Sequence, residues 1–115
     1  MRPLNIEKSI LERILVNISH ISALLQTMTP ESFMQDLKDF NAMCLEFIQI
    51  GEKVHQLPEE FIDKYPEVPW HELYGLRNRI VHGYEKVNKS VIWATITKDV
   101  SEIEKQIIQI IEKIS

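Results

Sequence analysis

A single cysteine, Cys44, stands in 115 residues. An intrachain disulfide is therefore excluded, and a reducing compartment, the cytoplasm, is the expected setting. No apolar run reaches the length of a membrane span, and Glu7, Lys8, Glu12 and Arg13 interrupt the N-terminal stretch. Neither a transmembrane helix nor a signal peptide is expected. The chain also lacks internal repeats, low-complexity tracts, a glycine-rich phosphate loop and any cysteine–histidine metal spacing, so no cofactor and no metal site are expected. Positive charge is not in excess either: the net charge is −4, which argues against a protein that coats nucleic acid by bulk electrostatics. Yet His71–Lys89 carries a local +2 and leaves −6 for the rest, an acidic body with one basic spot. Taken on charge alone, that spot reads as a solvated helix end.

What the chain does have is helical periodicity. Its length suits one domain, residues 1–115, able to bury roughly 65% of the surface its unfolded chain exposes. Leu11, Ile14, Ile18, Ile21, Leu25 and Met28 alternate by three and four and predict a long amphipathic helix from about residue 4 to 28. His20 falls at its rim, with no second ligand near. Thr29-Pro30-Glu31 is a helix-start signal. From there Phe33, Leu37, Phe40, Cys44, Phe47, Gly51 and Val54 predict one second helix to about His55, with Cys44 as core filler rather than nucleophile. A short helix is expected from Leu57 to about Lys64. Pro66 and Pro69 then impose a stiff elbow, which Trp70 anchors. A further helix starts near Pro69, with Leu73, Leu76 and Ile80 inward. The last one follows Asn88-Lys89-Ser90, carrying Trp93, Ile96, Val100, Ile103, Ile107, Ile110 and Ile114, plus a second stripe of Ile92, Ile108 and Ile111. The expected fold is all-α: an up-down bundle of three long helices, a short helix and the helix that begins near Pro69.

That helix carries Leu76–Tyr84, LRNRIVHGY, the polar concentrate of the chain. A histidine exchanges protons near neutral pH, and the arginine fork matches phosphate oxygens. RNA supplies its own nucleophile, the 2′-hydroxyl, so a site that moves one proton and stabilises the charge developing on phosphorus needs no metal. Spacing limits how these groups act together. At about 100° per residue, Asn78 and His82 share a face, whereas Arg77 and His82 lie about 140° apart. One straight helix aims both at one atom only if their side chains curl round, if it ends near Gly83, or if a second copy supplies the partner. The last solution, a homodimer whose two-fold axis passes near this helix, is the favoured one.

Arg77, Asn78, His82 and Tyr84 form the pattern R-N-x-x-x-H-x-Y, which resembles the signature of the HEPN superfamily, and within it the HepT branch of RNase toxins from bacterial and archaeal toxin–antitoxin pairs. Gly51-Glu52, Pro66-Glu67-Val68-Pro69-Trp70, Gly75-Leu76 and Trp93 resemble that branch as well, so the likeness spans essentially the whole chain. It implies a metal-independent endoribonuclease with Arg77, Asn78 and His82 as catalytic residues and Arg79 as a further phosphate contact. A lone helical histidine is usually structural, and the weight on His82 comes from this resemblance. The resemblance also implies a minimal nucleotidyltransferase antitoxin of the MntA type as partner, with Tyr84 as the residue that accepts AMP. Otherwise Tyr84 would be a buried tyrosine bonded to backbone. Gly51 lies on the apolar stripe, where a glycine is costly unless another backbone comes close. The resemblance suggests that the segment carrying Arg77 and His82 crosses there with Glu52 near it. A tight crossing without function would look the same.

Two other function classes use the same residues. One is a non-catalytic helical partner of a nucleotidyltransferase that binds its nucleotide or substrate, with Arg77 as phosphate clamp. The other is a purely structural dimerisation bundle.

Overall fold

The computed structural model describes residues 5–115. Among these residues seven α-helices follow one another: α1 Asn5–Leu25, α2 Pro30–Gln35, α3 Leu37–His55, α4 Glu59–Lys64, α5 Trp70–Gly83, α6 Lys89–Ala94 and α7 Val100–Ile114. A 3₁₀ turn, Tyr84–Lys86, follows α5, and a π-helical turn, Thr95–Asp99, joins α6 to α7. Among the described residues there is no strand, and no helix is long and apolar enough to cross a membrane.

α3 is the central rod. It packs against α1 on one side and α5 on the other, while α7 lies against α1 and α6 against α2. Ile14, Ile18 and Ile21 of α1, Phe40, Met43 and Phe47 of α3, and Ile107 and Ile110 of α7 are buried in one core, following the stripes that periodicity marks. Cys44 belongs to that core. Burial pushes its thiol up to about 11, so it stays protonated and inert at neutral pH.

Two of the long helices expected from the pattern are interrupted. The second breaks at Asp36, whose extended backbone (φ −98°, ψ 113°) ends α2 by donating its N–H to Ser32 O and starts α3 by accepting the Lys38 N–H at 2.8 Å. An aspartate is among the best helix starters, and here it also resets the phase of the stripe. Phe33 and Phe40 both turn inward, edge to face at 5.6 Å, while Leu37 is left 59% exposed, contrary to its place in the pattern. The start signal itself is realised in full: Thr29 and Ser32 close a reciprocal capping box.

The final helix widens at Thr95–Asp99 into one π turn, across which Ile92, Ile96 and Val100 all stay buried. Thr95 and Thr97 donate their hydroxyls back to Val91 O (3.0 Å) and Trp93 O (2.9 Å), which eases the opening.

The elbow is as stiff as its prolines require. Trp70 is buried, and its indole N–H donates to Tyr65 O at 2.8 Å, fixing where α5 begins. Between α1 and α3 lies a polar seam. The Asn17 amide donates to Glu46 Oε1 (3.0 Å) and Gln49 Oε1 (2.7 Å) and accepts from Lys53 Nζ (2.8 Å). Burial first, then Arg13, pushes the Lys53 ammonium below its ordinary value, with Glu46 opposing. His20 stands at the rim of this seam, 3.1 Å from Glu46 Oε1.

Candidate active site on the fifth helix

Leu73, Leu76 and Ile80 are the buried stripe of α5, and they fix where its polar side chains go. Arg77 lies on the edge that meets α3. It fits there because the facing residue is Gly51: a Cβ at that position would overlap the Arg77 Cβ, sit 2.9 Å from its Cγ and 3.3 Å from Leu73 O. The close approach inferred from the glycine is therefore real, and the chain that crosses is the one carrying Arg77.

The guanidinium is held on two sides. Nε donates to Glu52 Oε1 at 2.6 Å, and Nη2 lies 2.5 Å from the same oxygen. Nη1 donates to Asn78 Oδ1 at 2.8 Å. The cation also sits 5.9 Å from the centre of the Tyr74 ring, which stacks on His55 with ring centres 4.6 Å apart. Among the described residues Nε and Nη1 donate its hydrogen bonds and Nη2 adds an ion-pair contact to Glu52, so each terminal nitrogen keeps an N–H for a further acceptor. Glu52 is about half exposed, so this pair adds little to stability and acts mainly by orienting the fork.

Asn78 links the arginine to the opposite side of α5. With its carbonyl turned to Arg77, its amide N–H₂ has no acceptor among the described residues, and Asn78 lines a groove of about 690 Å³ together with Arg79 and His82. The groove runs along the second half of α5, the 3₁₀ turn and the start of α6. His82 is exposed, and among the described residues it makes no hydrogen bond and no ion pair. The helix loosens just past it, at Gly83 (φ −148°, ψ 40°). Arg77 does not line this groove. Within one chain the structure thus brings Arg77 to Asn78, and Asn78 to Arg79 and His82, but does not bring Arg77 and His82 together, as their spacing requires.

Tyr84 returns to the α3 side. Its ring packs on Phe40 at 5.6 Å between centres, and its hydroxyl donates to Asn41 Oδ1. It is 38% exposed and bonded to a side chain, not buried against backbone. Asn41 and Tyr74 are the two contacts that the sequence did not signal, the one a single polar residue on an open helix face, the other an ordinary aromatic three residues before Arg77. Among the described residues no three His, Cys, Asp or Glu side chains converge as metal ligands.

The chain has relatives among known proteins. The chain is 37% identical over 103 residues to a provisionally named RNase of Caldanaerobacter subterraneus subsp. tengcongensis, covering 90% of this chain and 92% of that protein. It is 36% identical over 107 residues to a provisionally named RNase of Methanocaldococcus jannaschii, covering 93% and 88%. A third relative, provisionally named ribonuclease HepT, from Thermococcus cleftensis, is 30% identical over 97 residues, covering 84% and 88%. No solved structure matches. The family profile described as ribonuclease HepT-like matches residues 14–110, and the chain belongs to that family, within the HEPN superfamily.

Proposed function

We propose that this chain is a metal-independent endoribonuclease, the toxin of a toxin–antitoxin pair, and that two copies build each cutting site. The observation that carries this reading is the division of α5: Arg77 is turned to the α3 edge and His82 to the open side, so that the fold of one chain keeps the two apart. A two-fold axis near α5 sets the Arg77 of one copy against the His82 of the other. Apolar side chains left in solvent supply the contact. Leu45 of α3 is 52% exposed, and Val81, one turn from both Arg77 and Tyr84, is 44% exposed.

In this scheme His82 acts as general base or acid. As base it takes the 2′-hydroxyl proton; the 2′-oxygen bonds to the adjacent phosphorus, the P–O5′ bond breaks, and the departing oxygen takes that proton back from the imidazolium through water. The two unengaged N–H groups of Arg77 hold the phosphate oxygens as charge grows on them. Asn78 fixes the guanidinium, and Arg79 offers a second phosphate contact. Cleavage is expected to leave a 2′,3′-cyclic phosphate and a 5′-hydroxyl, to proceed undiminished in EDTA, and to vanish in His82→Ala. Gel analysis of end-labelled RNA checks all three, and loss of cleavage in EDTA would refute the mechanism.

Neutralisation is assigned to a minimal nucleotidyltransferase. The hydroxyl of the part-exposed Tyr84, released from Asn41, attacks the α-phosphorus of ATP, its proton is lost, and pyrophosphate leaves. The adenylyl group adds bulk and negative charge on the edge that holds Arg77, repelling an RNA phosphate. Mass spectrometry of the chain co-expressed with that partner is expected to show one adenylyl mass on the peptide containing Tyr84. The Tyr84→Phe protein is expected to show none and to stay active beside the partner.

A further inference from the structure

We propose that the groove beside His82 is a nucleobase subsite. It takes the base of a nucleotide next to the cut and favours uracil and guanine over adenine and cytosine. The proposal rests on the endoribonuclease reading and adds to it where the strand lies and which bases are preferred.

The chemistry of the lining selects the occupant. Leu76, Val87, Val91 and Ile92 give it an apolar floor. No carboxylate lines it, and its charged side chains are the cations Arg79 and Lys86, for which no ion pair exists among the described residues. Its two asparagines face it as donors. The Asn78 carbonyl is turned to Arg77, and the Asn88 carbonyl caps α6 by accepting from Ser90 N (2.9 Å) and Val91 N (3.3 Å). Both amide assignments are forced by these partners, and among the described residues neither N–H₂ group has an acceptor.

An apolar bed ringed by donors and cations calls for a flat, acceptor-rich ligand attached to an anion. A nucleotide is such a ligand. The space of about 690 Å³ holds a base with its ribose. His82 at the edge places the 2′-hydroxyl of that nucleotide, or of its neighbour, within reach of the proton acceptor. Uracil presents O2 and O4, and guanine O6 and N7, to such donors; adenine and cytosine put an exocyclic amino group where a carbonyl would be read. A peptide segment would need its own carboxylates to satisfy the two cations, and its seating here is the outcome the test must separate.

The test uses DNA strands holding one ribonucleotide, so that the cut position is fixed, with U, G, A or C placed on either side of it. Wild-type protein is expected to favour U and G over A at one of these positions by about tenfold in kcat/KM, the scale of one good base contact. Val91 is 51% exposed in the first turn of α6, so Val91→Asp is tolerated by the helix and sets a carboxylate on the floor. That variant is expected to lose the preference and raise KM about tenfold while kcat stays near wild type. Val16→Asp, equally exposed on α1, is expected to change neither. A second readout does not need catalysis: in His82→Ala protein, UMP is expected to shift the methyl resonances of Val87 and Val91, and AMP to shift them less.

Cleavage without base preference, a preference retained in Val91→Asp, or a changed sedimentation coefficient in Val91→Asp would each overturn the subsite, the last by assigning the groove to a protein contact. Absence of any RNA cleavage, with UMP still shifting the Val91 methyls, would overturn the endoribonuclease reading and leave the subsite standing.

Discussion

Arg77→Ala and His82→Ala chains, each inactive alone, are expected to recover about one quarter of the wild-type rate when co-expressed in equal amounts. The losses come first. Removing a general acid–base group costs roughly 10²–10⁴-fold, and removing a charge aimed at the reacting phosphate costs roughly 10²–10³-fold. Both chains should still fold. His82 is exposed and unbonded among the described residues, and Glu52, about half exposed, is solvated once its arginine is gone. The recovery follows from counting. Random pairing makes about half of the dimers mixed, and in a mixed dimer one composite site carries both lesions while the other carries neither. If Arg77 and His82 worked within one chain, every site in the mixed dimer would lack one of them and no activity would return. Purifying the mixed dimer through two different affinity tags sharpens the result to about half the wild-type rate. Failure of rescue, with dimers demonstrated by sedimentation, would refute the shared site.

The physics of the pattern explains which parts of this molecule were readable. Burial follows periodicity wherever a helix is unbroken. Ile14, Ile18 and Ile21, or Leu73, Leu76 and Ile80, are inward because their spacing leaves them no other face. Periodicity is blind to a change of phase. Leu37 keeps the alternation from Phe33 to Phe40, yet Asp36 between them takes an extended conformation and turns Leu37 to solvent. The clue was present, since an aspartate starts a helix better than it sits within one, but spacing alone does not show that Asp36 does so. At the last helix spacing does not mark the widened turn: Ile92, Ile96 and Val100 follow one another by fours, as Ile10, Ile14 and Ile18 do in the unbroken α1. The site divides in the same way. The angular separation of Arg77 and His82 is fixed by helix geometry alone, and their placement on two sides of α5 follows from it. The contact between Tyr84 and Asn41 depends on how α5 lies across α3, and nothing near Asn41 in the sequence records that crossing.

Replacing Gly51 is expected to act against its own helix propensity. In an unpacked helix Gly→Ala gains about 1 kcal/mol, so Gly51→Ala would stabilise α3 if nothing faced it. What faces it is the root of the Arg77 side chain and a backbone carbonyl, neither able to swing away, so α5 must lift from α3. Overpacking of this kind costs about 1–3 kcal/mol and outweighs the propensity gain, and Gly51→Leu should fall at the upper end or beyond. Activity should fall further than stability, because lifting α5 carries the Arg77 fork away from Glu52, and a catalytic group displaced by about 1 Å costs on the order of 10²-fold. Denaturant unfolding and single-turnover cleavage measure the two effects separately. A second substitution isolates the cause. Arg77→Gly removes the Cβ that Gly51→Ala strikes, so the double variant should be more stable than the two single changes predict, by about 1 kcal/mol or more of coupling, and should remain inactive. If the single and double changes simply add, or if Gly51→Ala gains stability and keeps its rate, then the close crossing of α3 and α5 does not hold the arginine in place.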